Sequence, residues 1–256
     1  MTVFLSVGPH PDDEAIAAGP LSLELLAHGH EVHALCTSLG RPEDHDRRAA
    51  EAQAAATRAG WVLHLPADPV AMSGGDDLAG AEVAVEWLLR EQLDLVDPAV
   101  VVGPGPHDAH HGHELVARAI RTTVGERPGC RWWAWQTWGH LVVQNLVVPF
   151  GEAVLEQALA VVDCYAGELT RNDYGEALVG AAMLGSALGQ ERVFGFGSAR
   201  SWDDPYASVL SEAIAGRGGW VHTQPRLLDP ADPVAGTPDP TRSARWLDDP
   251  SPYQRR

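Results

Sequence analysis

The stretch Val3-Phe4-Leu5-Ser6-Val7-Gly8-Pro9-His10-Pro11-Asp12-Asp13-Glu14 decides the fold class. Its first five residues form a short apolar run and read as a buried strand. That strand leads directly into one imidazole and three carboxylates. Open α/β sheets hold their ligands beyond the carboxyl ends of strands, which is where this cluster falls. A second run of the same form, Val100-Val101-Val102, precedes His107-Asp108-Ala109-His110-His111-Gly112-His113-Glu114. If the two strands are parallel neighbours, the two clusters face each other.

Working outward, strand-like and helix-like patterns alternate through the first half. Strands are expected at 3–7, 31–37, 61–65, 99–102 and 131–136, and helices at 13–27, 43–59, 78–95 and 114–123, with Gly60 stopping the second helix. Repeated βαβ units imply a parallel sheet with right-handed crossovers. Further on, strands are expected at 141–148 and 193–196 and helices at 151–165 and 174–188. The fold class is therefore α/β and Rossmann-like, a mostly parallel sheet with helices on both faces and a small C-terminal addition. From Thr223 onward Pro and Asp crowd the chain and periodicity vanishes, so 223–256 reads as an extended or partly disordered tail behind a domain at 1–222. Ser73-Gly74-Gly75-Asp76-Asp77 reads as a loop.

A chain of 256 residues builds its core without disulfide support. Cys36, Cys130 and Cys164 are an odd number without close spacing, and they read as buried small hydrophobes of a reducing compartment. Only Met1-Thr2 precedes the first strand, with no basic and apolar leader and no 18-residue apolar stretch, so a soluble cytoplasmic protein is expected. The formal net charge of −17 argues against nucleic acid or an anionic membrane as a partner. A small-molecule substrate is expected, with homo-oligomerisation left open. The first strand-to-helix turn lacks G-x-G-x-x-G and puts carboxylates where a pyrophosphate would approach, which excludes a dinucleotide there.

Three successive acids at a strand end need a cation, an arginine or open solvent to offset their repulsion. Two histidines and one carboxylate with an open position form the donor set of a catalytic zinc site. His10 and Asp13 supply two ligands from the ends of one short turn, and the third comes from the second cluster, which has four histidines in seven residues. Adjacent Asp12 and Asp13 point different ways, so the one not on the ion is free to take a proton from water. Either one can instead cap the following helix. A histidine of the second cluster would stabilise an oxyanion and protonate a leaving amine, and together these parts describe amide hydrolysis. Glycoside hydrolysis is disfavoured, because sequence neighbours on one turn do not straddle a glycosidic bond.

Pro9-His10-Pro11-Asp12-Asp13-Glu14 resembles the first motif, (A/P)-H-P-D-D-E, of the PIG-L or LmbE-like zinc N-deacetylases. The resemblance implies that His10 and Asp13 bind zinc and that Asp12 is the general base. The family's second motif is H-x-D-H, followed by a helix like that of Glu114-Leu115-Val116-Ala117-Arg118-Ala119, which aligns His113 with the third zinc ligand. His110 then falls on the acid or oxyanion-stabilising histidine. Gly112 stands where the family has the aspartate that orients this histidine, so the acid role stays open between His110, His111 and a contribution from Asp108. The likeness extends through Arg48-Ala49-Ala50-Glu51, Arg171-Asn172-Asp173-Tyr174 and 191–196, covering roughly 2–200.

Arg48 is the candidate substrate-binding residue, with pairing to Glu51 on a solvated helix face as the alternative. Trp132, Trp133, Trp135 and Trp138 read as core or interface packing ahead of sugar stacking, and His140 as a residue near the cleft. The expected function is zinc-dependent N-deacetylation of an N-acetylglucosamine-type sugar or its conjugate. Its rivals are an amidase for a larger acyl conjugate, such as a thiol S-conjugate, and a metal- or sugar-binding protein whose site has lapsed at Gly112.

Overall fold

Parallel strands buried on both faces need helices on each side, and the first apolar run is the centre of such a sheet. The computed structural model describes residues 1–73 and 75–247. Gly74 of the 73–77 loop and 248–256 of the tail lie outside the described residues. Strand β1 (Val3–Gly8) pairs in parallel with β2 (Glu31–Cys36) on one side and β4 (Val100–Pro104) on the other. β3 (Val62–His64) extends the sheet beyond β2, and β5 (Arg131–Trp135) beyond β4, all parallel. The order β3-β2-β1-β4-β5 reverses direction between β1 and β4. That reversal opens a crevice between the two carboxyl ends.

Alternation along the strands sends side chains to two cores. Phe4, Val32, Val100, Val102 and Trp133 face a core completed by α2 (Gly19–Ala27), α3 (His45–Ala59) and α6 (Glu152–Val162). Leu5, Val7, Leu35, Val101 and Trp132 face the other, completed by α4 (Leu78–Val96) and α5 (His111–Gly125). Trp132, Trp133 and Trp135 are all buried, so the packing reading holds for these three. The helix expected over 13–27 is broken into α1 (Asp13–Ile16) and α2, because Pro20 has no N–H to donate and sits in the first turn of a new helix. α3 ends where expected, at Gly60 in the left-handed conformation.

The second half departs from a simple reading. A 21-residue helix, α8 (Tyr174–Phe194), follows α7 (Ala166–Leu169). Val193 and Phe194, expected to begin a strand, are its last turn, and Gly195 at φ 106 ends it. β6 (Leu146–Phe150) begins five residues later than the apolar run suggests. β7 (Tyr206–Gly216) is antiparallel to β5 through Ser211–Ile214 and to β6 through Tyr206–Leu210, and it turns into β8 (Gly219–Thr223).

β7 carries Glu212, fully buried, which hides its strand character in the sequence. Arg131 Nη1 at 2.7 Å, Arg226 Nε at 2.8 Å, Thr223 Oγ1 at 2.8 Å and Trp133 Nε1 at 3.0 Å donate to its carboxylate. Arg131 also donates to the carbonyls of Val234 and Gly236. Beyond Thr223 the chain is tied to the sheets: β9 (Arg226–Leu227) joins β6, and β10 (Pro238–Ser243) joins β8. Trp246 is buried against His222, 2.6 Å from its Nε2, and its carbonyl lies 2.9 Å from His107 Nε2. No helix of the described residues is long and apolar enough to cross a membrane.

Candidate active site

The turn after β1 is tight. A Cβ on Gly8 would stand 2.9 Å from that of Asp13, so only glycine lets the chain double back here. Asp13 Oδ2 accepts the His10 backbone N–H at 2.9 Å and lies 3.3 Å from His10 Nδ1. Its other oxygen lies 3.1 Å from His113 Nε2. Asp12 occupies the position before α1 but its side chain makes no capping bond. Its φ of 121 is a strained value for a residue with a Cβ, and strain of this kind collects where side chains must be aimed. Glu14 props the turn: its carboxylate accepts the Asp12 N–H at 3.3 Å and the Tyr165 hydroxyl.

The turn after β4 supplies the facing half, as the parallel pairing requires. Asp108 is fully buried, with Oδ2 2.5 Å from His113 Nδ1. Its Oδ1 accepts the backbone N–H groups of Thr137, Trp138 and Gly139 at 2.8, 2.8 and 3.0 Å. Asp108 therefore orients His113 and not His110. Ala109, at φ 57, turns the chain between them. His111 Nε2 lies 2.6 Å from the Met72 carbonyl, and its ring stacks on His110 at 4.8 Å. His110 has a buried Nδ1 without a hydrogen-bond partner. Gly112 leaves room there: a Cβ would stand 3.2 Å from His10 Cε1 and 3.4 Å from His110 Nδ1.

These groups suit a cation. One nitrogen each from His10, His110 and His113 lies within 4.8 Å of the others. With Asp13 between His10 and His113, the nitrogens and oxygens match the donor types that zinc and similar divalent ions take. Burial works against a charge on His113, but Asp13 and Asp108 outweigh it and raise its pKa to about 10. Burial would raise the Asp13 pKa, yet His113 and His10 hold it far below the ordinary carboxylate range. Asp12 moves the other way, pushed well up by burial and by the charges of Asp13 and Glu14. His110 is driven down to about 3, by burial first and then by His113 and His10, so it is neutral at pH 7. Two adjacent carboxyls thereby shift in opposite directions.

A cavity of about 620 Å³ opens over the site. His10, Asp12, Asp13, His110, His111 and His113 line its floor, and Thr137 and Trp138 one wall. Trp138 is exposed there, unlike its three buried companions. Arg48 is buried in the opposite wall, donating to the Leu39 carbonyl at 3.4 Å and pairing with Glu168 at 2.9 Å. The pairing with Glu51 belongs to Arg47 instead, at 2.7 Å. His140 lines a separate, smaller cavity. The sequence reading missed Glu14, Tyr165 and Glu168 as supports, and Arg41 and Arg171 as cavity residues. Glu14 and Arg171-Asn172 gave sequence cues, as parts of the family likeness.

Residues 5–124 match the profile of the PIG-L family, described as GlcNAc-PI de-N-acetylase. The match covers just under half of the chain. The match runs from β1 to the end of α5 and so spans both clusters. No curated protein matches the chain. Among solved structures it is similar to the 4-carboxy-2-hydroxymuconate hydratase from Pseudomonas putida, at 20% identity, covering 82% of this chain and 95% of that one, with a TM-score of 0.57. It is similar to a zinc-inhibited form of teicoplanin deacetylase, at 14% identity over 84% and 100% of the two chains, with a TM-score of 0.61. A third is the N,N'-diacetylchitobiose deacetylase from Pyrococcus horikoshii, at 16% identity over 75% and 81%, with a TM-score of 0.56. At such identities the likenesses establish the shared fold, which here hosts more than one named chemistry.

Proposed function

We propose that this protein is a PIG-L-like, metal-dependent hydrolase of N-acetyl amide bonds, acting on an N-acetylated amino sugar or its conjugate, with zinc as the metal. The observation that carries the proposal is the assembly of a three-sided donor set, His10, Asp13 and His113, in one cavity with an uncapped, strained Asp12 and a neutral His110. Deacetylases among the solved neighbours support the choice of an acetamide. A divalent cation held by His10, Asp13 and His113 would polarise the amide carbonyl and make water acidic enough to ionise near neutral pH.

The chain's own groups do the rest. Asp108 holds the proton of His113 on Nδ1, because a carboxylate there accepts only from an N–H, so Nε2 is the nitrogen that would give up its proton and offer a lone pair to a cation. Asp12, with its affinity for protons raised by burial, takes the proton of the attacking water. The same carboxyl then returns that proton to the departing nitrogen. His110, neutral and beside the donor set, gives an N–H hydrogen bond to the oxygen that gains charge in the tetrahedral transition state. The intact arrangement counts against a lapsed site, since Gly112 leaves His110 in place over the cavity.

The test is release of equal amounts of acetate and primary amine from N-acetylglucosaminides by zinc-loaded protein. His110→Ala should retain the metal and lose most turnover. Silence across N-acetyl sugars and larger acyl conjugates, with zinc demonstrably bound, would refute the proposal.

A further inference from the structure

Arginines gather at one end of the catalytic cavity in a chain that is otherwise strongly acidic. The protein has 18 basic residues, every one an arginine, against 35 acids. Four of the arginines, Arg41, Arg47, Arg48 and Arg171, line this one cavity. Their carboxylate partners number three: Asp44 and Glu51 bonded to Arg47, and Glu168 shared by Arg47, Arg48 and Arg171. Glu168 is buried, so three guanidiniums converge on a single enclosed charge. Arg41 is exposed and makes no side-chain hydrogen bond or ion pair among the described residues. Arg171 is 62% exposed and its only ionic partner among them is Glu168.

The two walls of this end have different tasks. Arg47 and Arg48 are spent on protein contacts, joining α3 to α7 and to the loop at Leu39. Arg41 and Arg171 are exposed and line the same cavity. Arg48 and Arg171 line the same cavity as His10, Asp12 and Asp13, so this end adjoins the candidate site. A neutral sugar would gain nothing from leaving an excess guanidinium unpaired here, whereas guanidinium forks match carboxylate and phosphate oxygens. The overall charge of −17 repels anions, and a local cationic rim is what an anionic ligand would need to enter.

We propose that the substrate carries an anionic group, a carboxylate or a phosphate ester, beside its N-acyl amine, seated between Arg41 and Arg171 while the amide reaches His10, Asp13 and His113. This rests on the hydrolase reading for the amide end, but the anion site is measurable without turnover. Isothermal titration of zinc-loaded protein would compare three amines that cannot be hydrolysed: glucosamine, glucosamine 6-phosphate and muramic acid, which bears a carboxylate. At least one anionic amine should bind about tenfold tighter than glucosamine, the scale of one charged hydrogen-bonded contact. A gain for the phosphate alone identifies a phosphate ester, and a gain for muramic acid alone a carboxylate. In Arg41→Gln/Arg171→Gln the gain should fall below about twofold, while Arg58→Gln, outside the cavity, should preserve it. Equal binding of all three amines would overturn the proposal, as would a gain that survives the double substitution. Amine release from N-acetylglucosaminides is scored separately: anion preference without release sinks only the hydrolase reading, and release without preference sinks only the anion site.

Discussion

Asp108→Asn isolates what one buried carboxylate does for the metal site. Three backbone N–H groups, those of Thr137, Trp138 and Gly139, point at Oδ1 from 2.8 to 3.0 Å, and an amide nitrogen cannot face three donors. The asparagine must therefore keep its oxygen there and turn its NH₂ toward His113 Nδ1, where the native oxygen lies at 2.5 Å. Nδ1 then has to accept, the neutral ring keeps its proton on Nε2, and the lone pair that a cation would need there is lost. Replacing the partner that orients a metal-bound histidine costs about 10- to 100-fold in affinity, or about 1.4 to 2.7 kcal/mol. Competition with a chromogenic zinc chelator reads that loss directly. Thermal stability should change little, because the three backbone donors keep their acceptor. Asp108→Ala, by contrast, strands them and should also lower stability by several kcal/mol, at about 1–3 kcal/mol for each unsatisfied group. If Asp108→Asn binds zinc within twofold of the native protein, His113 is not held as described and the ligand set is wrong.

Asp13→Ala should abolish stoichiometric zinc by elemental analysis, whereas Asp12→Asn should keep the metal and lose about 10²- to 10⁴-fold in turnover, the range of general acid–base catalysis. Identical metal contents in the two variants would contradict the division of roles. Glu212 raises a question of stability rather than catalysis. Burial alone would lift its pKa, but Arg226, Thr223 and Arg131 outweigh it and hold the value below the ordinary 4.5. A depressed carboxylate stabilises the fold above its unfolded pKa, and that contribution is lost as pH falls through the folded value. Unfolding free energy should therefore drop as the pH falls below about 4.5, and Glu212→Gln should flatten that acid limb while costing up to about 3 kcal/mol at pH 7 by removing the charge that two partly buried guanidiniums share. Denaturant melts from pH 3 to 7 test both statements, and a variant as stable as the native protein at neutral pH would refute them.

Strands β1 and β4 were legible in the sequence because a parallel strand covered on both faces is a nearly uninterrupted apolar run, broken in Val3–Gly8 only by Ser6, whereas β2 and β5 showed through alternation. The candidate site was legible for a related reason: polar clusters at strand ends are local in the chain, and His10 to Glu14 needs no distant partner to be noticed. β7 was not legible, since Glu212 and its small neighbours look unlike a strand until Arg131 and Arg226, brought from 81 and 14 residues away, neutralise the charge. Val193 and Phe194 could be read either way, and the 21-residue run of α8 decided for helix. Sequence alone determined that a histidine and carboxylate chemistry sits on a Rossmann-like sheet. Only the tertiary structure decided that Asp108 serves His113, that Arg48 is walled into protein contacts, and that Arg41 and Arg171 open onto the site. The physical reason is that orientation and free valence belong to pairs of groups, and a pair separated by a crossover exists only once the sheet has formed.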